Sequence, residues 1–207
     1  MPNPWLNIPF DDYEAHMSSP EIEQLQTLNK IFKDTCDKYK PESIAILGCC
    51  TGNGFEHIDT TITKRVIGID INPKYLSIVK ERYAELIPNL ELIELDISKS
   101  ELPFQRIDLV FGSLIFEYVN VEKALGSIKK VLNPNGKLVV CLQMESESCG
   151  VATPSPYKSL EKLSDVLKLI NPAEFMEITR KHGLREIENY ELPIKQGKKF
   201  FISTSVF

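Results

Sequence analysis

The run Ser43-Ile-Ala-Ile-Leu-Gly-Cys-Cys-Thr-Gly-Asn-Gly-Phe-Glu-His-Ile58 constrains the fold of this chain more than any other stretch. It opens as a short apolar strand. A turn with glycine at 48, 52 and 54 follows, and then residues expected to form a helix over about 53–63. Small residues and free backbone N–H groups therefore stand where a strand hands over to a helix, the place where open α/β sheets bind ligands. Glycine turns are common, so the flanking segments carry the reading further. The apolar strand Arg65–Asp70 ends in an acid, and so does the stretch Leu90–Asp96.

The rest of the chain keeps this alternation. Residues 20–38 read as an amphipathic helix with Leu25, Leu28, Phe32 and Cys36 on one stripe, ended by Pro41. Asn72-Pro73 is a helix start, with Asn as N-cap and Pro in the first turn, ahead of a stripe of Leu76, Val79, Tyr83 and Leu86. A fourth strand is expected over 106–111, a helix carrying Ala124, Leu125, Ile128 and Val131 after Asn120, and a fifth strand over 137–142 after the turn Asn133–Gly136. Alternating strands and helices imply parallel pairing with right-handed crossovers. The segment 144–159 is polar and rich in Gly, Ser and Pro, and it follows the carboxyl end of strand five, so it belongs to the ligand side. A short helix over 159–170 and another from Asn171-Pro172 to Gly183, with Glu174 completing a capping box, come next. The stretches 184–192 and 198–207 both read as strands. The few residues between them cannot make a parallel crossover, so they form an antiparallel hairpin. The expected fold is α/β: a mainly parallel sheet closed by a C-terminal hairpin, with helices on both faces.

With 207 residues, 43% hydrophobic and 26% charged, the chain is expected to form one domain over 1–207. No apolar run approaches the ~20 residues of a membrane span, and the N-terminus lacks the basic and apolar regions of a signal peptide, so a cytoplasmic location is expected. The five cysteines are odd in number, and Cys49 and Cys50 are adjacent, so ordinary thiols are expected rather than disulfides or a metal clip. A formal charge of −5 argues against a broad phosphate-binding surface.

GCCTGNG at 48–54, GIDINPKYL at 68–76, LELIELDIS at 90–98, IDLVFGSLIFEYV at 107–119 and LNPNGKLVV at 132–140 together resemble the successive motifs of class I S-adenosylmethionine-dependent methyltransferases, in the family's order and spacing over about 43–142. The resemblance implies a Rossmann-like seven-stranded fold with S-adenosylmethionine as cofactor. The glycine turn (Gly48, Cys49, Thr51, Gly52, Asn53) would hold the methionine part. Asp70 would accept the ribose hydroxyls and Ile71 would face the adenine. Asp96 and the Ile97 N–H would bind the adenine edge. Ser113, Glu117 and Tyr118, beyond strand four, would border the reactive methyl, with Glu117 as the general-base candidate. No metal is implied.

Two positions depart from the family pattern: Ile46 replaces the usual acid two residues before the first glycine, and Cys50 replaces the second glycine. The tetrapeptide Phe111-Gly112-Ser113-Leu114 stands where amino-methyltransferases of nucleic acids and proteins carry an NPPY-type motif, which counts against those acceptors. The aromatic-rich N-terminus (Trp5, Phe10, Tyr13, His16, Met17) is expected to fold over the cofactor as a lid. With the segment 144–170, including Tyr157, Leu160 and Leu163, it would form an acceptor pocket that is apolar and poor in positive charge. His57 reads as structural. A small-molecule acceptor is the leading expectation. An RNA or protein methyltransferase and a non-catalytic cofactor-binding protein stay open. A nicotinamide oxidoreductase fits poorly, because His57 stands where the third glycine of GxGxxG belongs.

Overall fold

The computed structural model describes residues 3–144 and 155–207. Seven strands form one sheet: β1 (Ser43–Leu47), β2 (Arg65–Asp70), β3 (Leu90–Glu94), β4 (Ile107–Ser113), β5 (Leu132–Gln143), β6 (Arg185–Pro193) and β7 (Lys199–Val206). Their order is β3-β2-β1-β4-β5-β7-β6. The first five run parallel, and β7 is antiparallel to both β5 and β6. This is the expected Rossmann-like methyltransferase arrangement. Strands β1, β2 and β4 are nearly continuous apolar runs because both their faces are covered. The edge strand β6 is mostly exposed and carries Glu186, Glu188 and Glu191, charges that discourage pairing with another chain.

Helices α2 (Gln24–Tyr39) and α3 (Pro73–Tyr83) bury their apolar stripes on one face, and α4 (Val121–Val131) and α5 (Pro172–Lys181) on the other. The caps follow the sequence. The side chains of Asn72, Asn120 and Asn171 accept the N–H groups of Lys74, Lys123 and Ala173. Phe32 of α2 is 1% exposed, stacks 6.3 Å from Phe55 and meets Phe111 edge-on at 5.0 Å. Truncating such a side chain costs about 3–5 kcal/mol.

Four expectations need correction. The helix foreseen over 53–63 is absent. The β1–β2 connection holds only a single 3-10 turn, Phe55–His57, because Gly52 (φ 84°) and Gly54 (φ 96°) keep left-handed backbone that no helix contains. Phe55 then dives into the core, and α2 occupies that face: a Cβ on Gly54 would lie 2.8 Å from the Phe32 ring. The helix foreseen over 159–170 is a 3-10 segment, Lys158–Leu163. Strand β5 starts at Leu132, because Leu132 pairs with Ile107 before a register shift. Within the N-terminal segment, Phe10–Ser18 forms a helix, α1. No helix among the described residues is long and apolar enough to cross a membrane.

Candidate active site

Strand order reverses between β1 and β4, and a cavity of about 360 Å³ opens at the carboxyl ends of the strands there. One wall is built by the ends of β1, β2 and β3. Gly48 and Cys50 stand at the glycine turn, Asp70 and Ile71 after β2, and Leu95, Asp96, Ile97 and Ser98 after β3. Asp70 is 6% exposed. Its Oδ2 accepts the Cys50 N–H and its Oδ1 the Asn72 N–H, both at 2.8 Å. Each oxygen keeps a second lone pair for a ligand hydroxyl. Burial pushes the carboxyl up to about 6, opposed by these backbone donors. Asp96 accepts the Ser98 N–H at 3.0 Å and pairs with Lys99 at 2.7 Å.

The opposite wall begins at the end of β4. Ser113, Leu114, Ile115, Glu117 and Tyr118 line the cavity. Glu117 is 2% exposed; its Oε1 accepts the Gln143 N–H at 2.8 Å, while Oε2 has no hydrogen-bond partner. Burial raises this carboxyl to about 7. The buried Ser113 Oγ is likewise without a partner. Leaving such atoms unmatched costs roughly 1–3 kcal/mol each, a cost a ligand would remove. Cys50 (φ 47°) and Leu114 (φ 51°) line the cavity in the left-handed region. Cys50 thus holds a conformation that favours glycine, at a strain of order 1–3 kcal/mol. Ile46, the other departure, is buried in the sheet's α2 face.

The N-terminal segment closes the top. Trp5, Tyr13, His16 and Met17 line the cavity. Trp5 packs edge-on against Tyr13 at 5.8 Å and Tyr118 at 5.2 Å, and its carbonyl accepts the Asn72 Nδ2–H at 2.8 Å. Glu14 receives both guanidinium nitrogens of Arg82 and the Thr51 hydroxyl, which together hold its carboxyl below the usual range despite burial. Ser159 donates to Asp12 at 2.6 Å, tying α1 to the 3-10 segment whose Leu160 and Leu163 also line the cavity.

Of the expected residues, the cavity therefore gathers Gly48, Asp70, Ile71, Asp96, Ile97, Ser113, Glu117, Trp5, Tyr13, Met17 and Tyr118. It does not gather Cys49, Thr51, Gly52 or Asn53. Without a helix behind it, the second half of the turn faces the protein. Cys49 is buried under the sheet, Thr51 serves Glu14, Gly52 backs onto the Tyr83 ring, and Asn53 bonds the Leu25 carbonyl at 2.9 Å. Tyr157 and Phe10 stand off the cavity too; Phe10 lies under the Arg82 guanidinium. His57 is structural, 2.7 Å from Asn29 Oδ1. Residues 145–154 of the expected acceptor segment lie outside the described residues. Sequence reading missed Gln24 and Leu28 of α2, Gln143 of β5 and Lys198 before β7, which also line the cavity. The last corrects the expectation of little positive charge there. Only folding brings these scattered positions together, and no local pattern marks them.

Residues 46–140 match the family model described as a methyltransferase domain. An uncharacterized methyltransferase-like protein of Schizosaccharomyces pombe is 29% identical over 92 residues, 44% of this chain and 34% of that protein. The chain thus spans about a third of the length of that curated relative. Among solved structures, the N-methyltransferase NodS of Bradyrhizobium japonicum, in complex with S-adenosyl-L-homocysteine, superposes with a TM-score of 0.69 at 14% identity, covering 95% of this chain and 97% of that one. The [4+2]-cyclase SpnF superposes with a TM-score of 0.70 at 13% identity, covering 87% and 81%. Domain match over 46–140, strand order and an acid at the end of β2 beside the cavity agree with the fold and motifs of class I S-adenosylmethionine-dependent methyltransferases, which this chain resembles.

Proposed function

We propose that this chain transfers a methyl group from S-adenosylmethionine to a small organic acceptor held between β4, β5 and the N-terminal lid. The observation that carries the reading is Asp70: a buried carboxylate at the switch point, braced by two backbone N–H groups and with lone pairs left for two hydroxyls. In this reading Asp70 holds the ribose, Ile71 faces the adenine, Asp96 accepts its amino group and the Ile97 N–H donates to the ring edge. Gly48 and Cys50 let the backbone approach the methionine part. The bound cofactor supplies a sulfonium methyl open to in-line displacement. The chain's own task is then to align the acceptor, exclude water and remove a proton. Trp5, Tyr13 and Tyr118 cover the site. Glu117 Oε2 accepts the acceptor's proton, with a carboxyl poised at about 7, near the operating pH.

Titration with S-adenosylhomocysteine, then a screen for its release with metabolite pools, tests the reading. Binding in the micromolar range or tighter and turnover with small metabolites are expected; absence of binding would refute it. Binding without turnover would favour a non-methylating use of the fold, a reading kept in view because a [4+2]-cyclase shares it. RNA binding that falls steeply with salt would move the acceptor to nucleic acid.

A further inference from the structure

Two polar atoms around the carboxyl end of β4 are buried and unmatched: Glu117 Oε2 and Ser113 Oγ. Both residues line the cavity. The Cys141 thiol, a weak hydrogen-bonding group, interacts with both, which places the two side chains in one neighbourhood. Buried polar atoms ordinarily have partners, so two without them on a cavity wall mark where a ligand's polar group belongs. The methyl-transfer reading uses Glu117 as a proton acceptor. It does not say which kind of atom carries that proton, and it leaves Ser113 without a role.

An ionised Glu117 can only accept hydrogen bonds, and Ser113 Oγ has lone pairs with which to accept another. A neutral primary amine meets both acceptors with its two N–H groups and keeps its one lone pair for the methyl. A hydroxyl has a single proton. Once that goes to Glu117, Ser113 is left to donate to the attacking oxygen, which draws electron density away from it. A carboxylate is repelled by Glu117, and a carbon nucleophile offers neither atom a partner. The sign of the cavity agrees. Among the described residues its charged lining is Asp70, Asp96, Glu117, Glu161 and Lys198, and the lysine has contacts of its own within the protein. Burial and the Lys198 charge lower the His16 pKa, so that ring is neutral. Trp5 stands nearly perpendicular to Tyr13 (71°) and Tyr118 (85°), an aromatic corner at the cavity of the kind that suits an alkylated cation. Transfer to a neutral amine moves positive charge from sulfur to nitrogen, and acids and rings of this kind serve that transition state. Transfer to an anion cancels the charge, and the same groups would favour the reactants instead.

We propose that Glu117 and Ser113 form a two-acceptor subsite for the nitrogen of a small primary amine, and that this amine is the methyl acceptor. This rests on the methyl-transfer reading. The nitrogen lone pair forms the C–N bond while the C–S bond breaks and its electrons stay on sulfur. The proton of the resulting ammonium that faces Glu117 passes to Oε2, leaving a neutral methylated amine and S-adenosylhomocysteine. Benzylamine, benzyl alcohol and benzoate share a ring and differ in the polar group. Each is titrated by calorimetry at about pH 8, where Glu117 is ionised, into the wild-type chain, Glu117→Gln and Ser113→Ala, with and without S-adenosylhomocysteine. A screen of metabolite pools with S-adenosylmethionine identifies the methylated atom.

Benzylamine is expected to bind the wild type about tenfold or more tightly than benzyl alcohol or benzoate. The amine-to-alcohol ratio should fall about tenfold in Glu117→Gln and about threefold in Ser113→Ala, a selectivity change that a merely structural role would not produce. Transferred methyl groups should appear on nitrogen. Benzyl alcohol or benzoate bound as tightly as benzylamine, no saturable binding of benzylamine, a ratio unchanged in Glu117→Gln, or methyl groups found on oxygen or carbon would each overturn the proposal. The wild-type series decides even if a variant does not fold. Failure of S-adenosylhomocysteine to bind would bring down the methyl-transfer reading instead, while the titrations of the free chain would still decide whether the site prefers an amine.

Discussion

The two walls of the cavity are built on different principles. The β1–β3 wall is local: each of its residues follows directly on a strand, and Asp70 is braced by backbone N–H groups from its own neighbourhood and the adjacent turn. The rest of the lining is assembled from afar, with His16, Gln24, Glu117, Gln143 and Lys198 coming from five separate segments. The first wall satisfies its buried carboxylate on both oxygens. The second leaves Glu117 Oε2 and Ser113 Oγ unmatched. A wall for an invariant ligand can be completed by the protein itself, whereas a wall that takes part in proton transfer keeps polar atoms available for the reacting partner.

The sharpest way to break this contrast is Glu117→Gln. If the carboxylate takes the acceptor's proton, turnover should fall by about 10²–10⁴-fold. Affinity for S-adenosylhomocysteine should change by less than about twofold. Wild-type turnover should rise with pH through about 7, where the carboxyl ionises. Equal turnover in the two proteins would remove the base from the mechanism. The same substitution tests the cost of the second wall. The folded carboxyl titrates at about 7 against an ordinary 4.5, so the folded state holds its proton more tightly than the unfolded chain. Stability from this group is present below about 4.5 and lost as pH rises to about 7, up to about 3 kcal/mol for a shift of this size. Denaturant melts at pH 5 and 8 should show that loss in the wild type, and Glu117→Gln should remove it.

On the first wall, Asp70→Ala should weaken S-adenosylhomocysteine by about 10–100-fold, the loss of about 1.5–3 kcal/mol in hydrogen bonds to a charged acceptor. The fold should survive, because the residue stands at a strand end. Wild-type affinity should also fall as pH drops below about 6, where Asp70 takes up a proton. Asp96→Asn should cost less, about tenfold or under, because a single hydrogen bond is changed and Lys99 already shares the carboxylate. Calorimetry across pH reads both. If Asp96 proved the more costly, the ribose and adenine roles would need exchanging.

This contrast also explains what could be read from the sequence. The parallel strands, the hairpin and the acids at the ends of β2 and β3 are legible because their signals are local: an apolar run, a glycine, a terminal acid. The missing crossover helix is not, since Gly52 and Gly54 become decisive only once Phe32 of α2 fills the space behind them. The side chains of Cys49, Thr51 and Asn53, which the resemblance assigns to the methionine part, pack or bond within the protein beside the 3-10 turn. Lys198 could not be found at all, because a lysine next to another lysine in a polar turn reads as solvated. Only the antiparallel return of β7 along β5 places it at the cavity.

The proposed lid, residues 5–17, has the smallest effect at stake. Its cross-tie is Glu14 with Arg82, a partly exposed pair in which solvent and salt screen much of the attraction. Arg82→Met should therefore change global stability by less than about 1 kcal/mol. It should nevertheless speed amide exchange in residues 5–17, whose anchors are this pair, the Trp5–Asn72 bond and the Ser159–Asp12 bond. If the segment is a lid, adding S-adenosylhomocysteine should slow exchange there in wild type and variant alike, because Trp5 and Tyr13 line the cavity that the ligand would fill. Exchange in 5–17 that ignores the ligand would mean that the aromatic segment is fixed structure rather than a lid. The two walls would then face a roof that plays no part in admitting or sealing the acceptor.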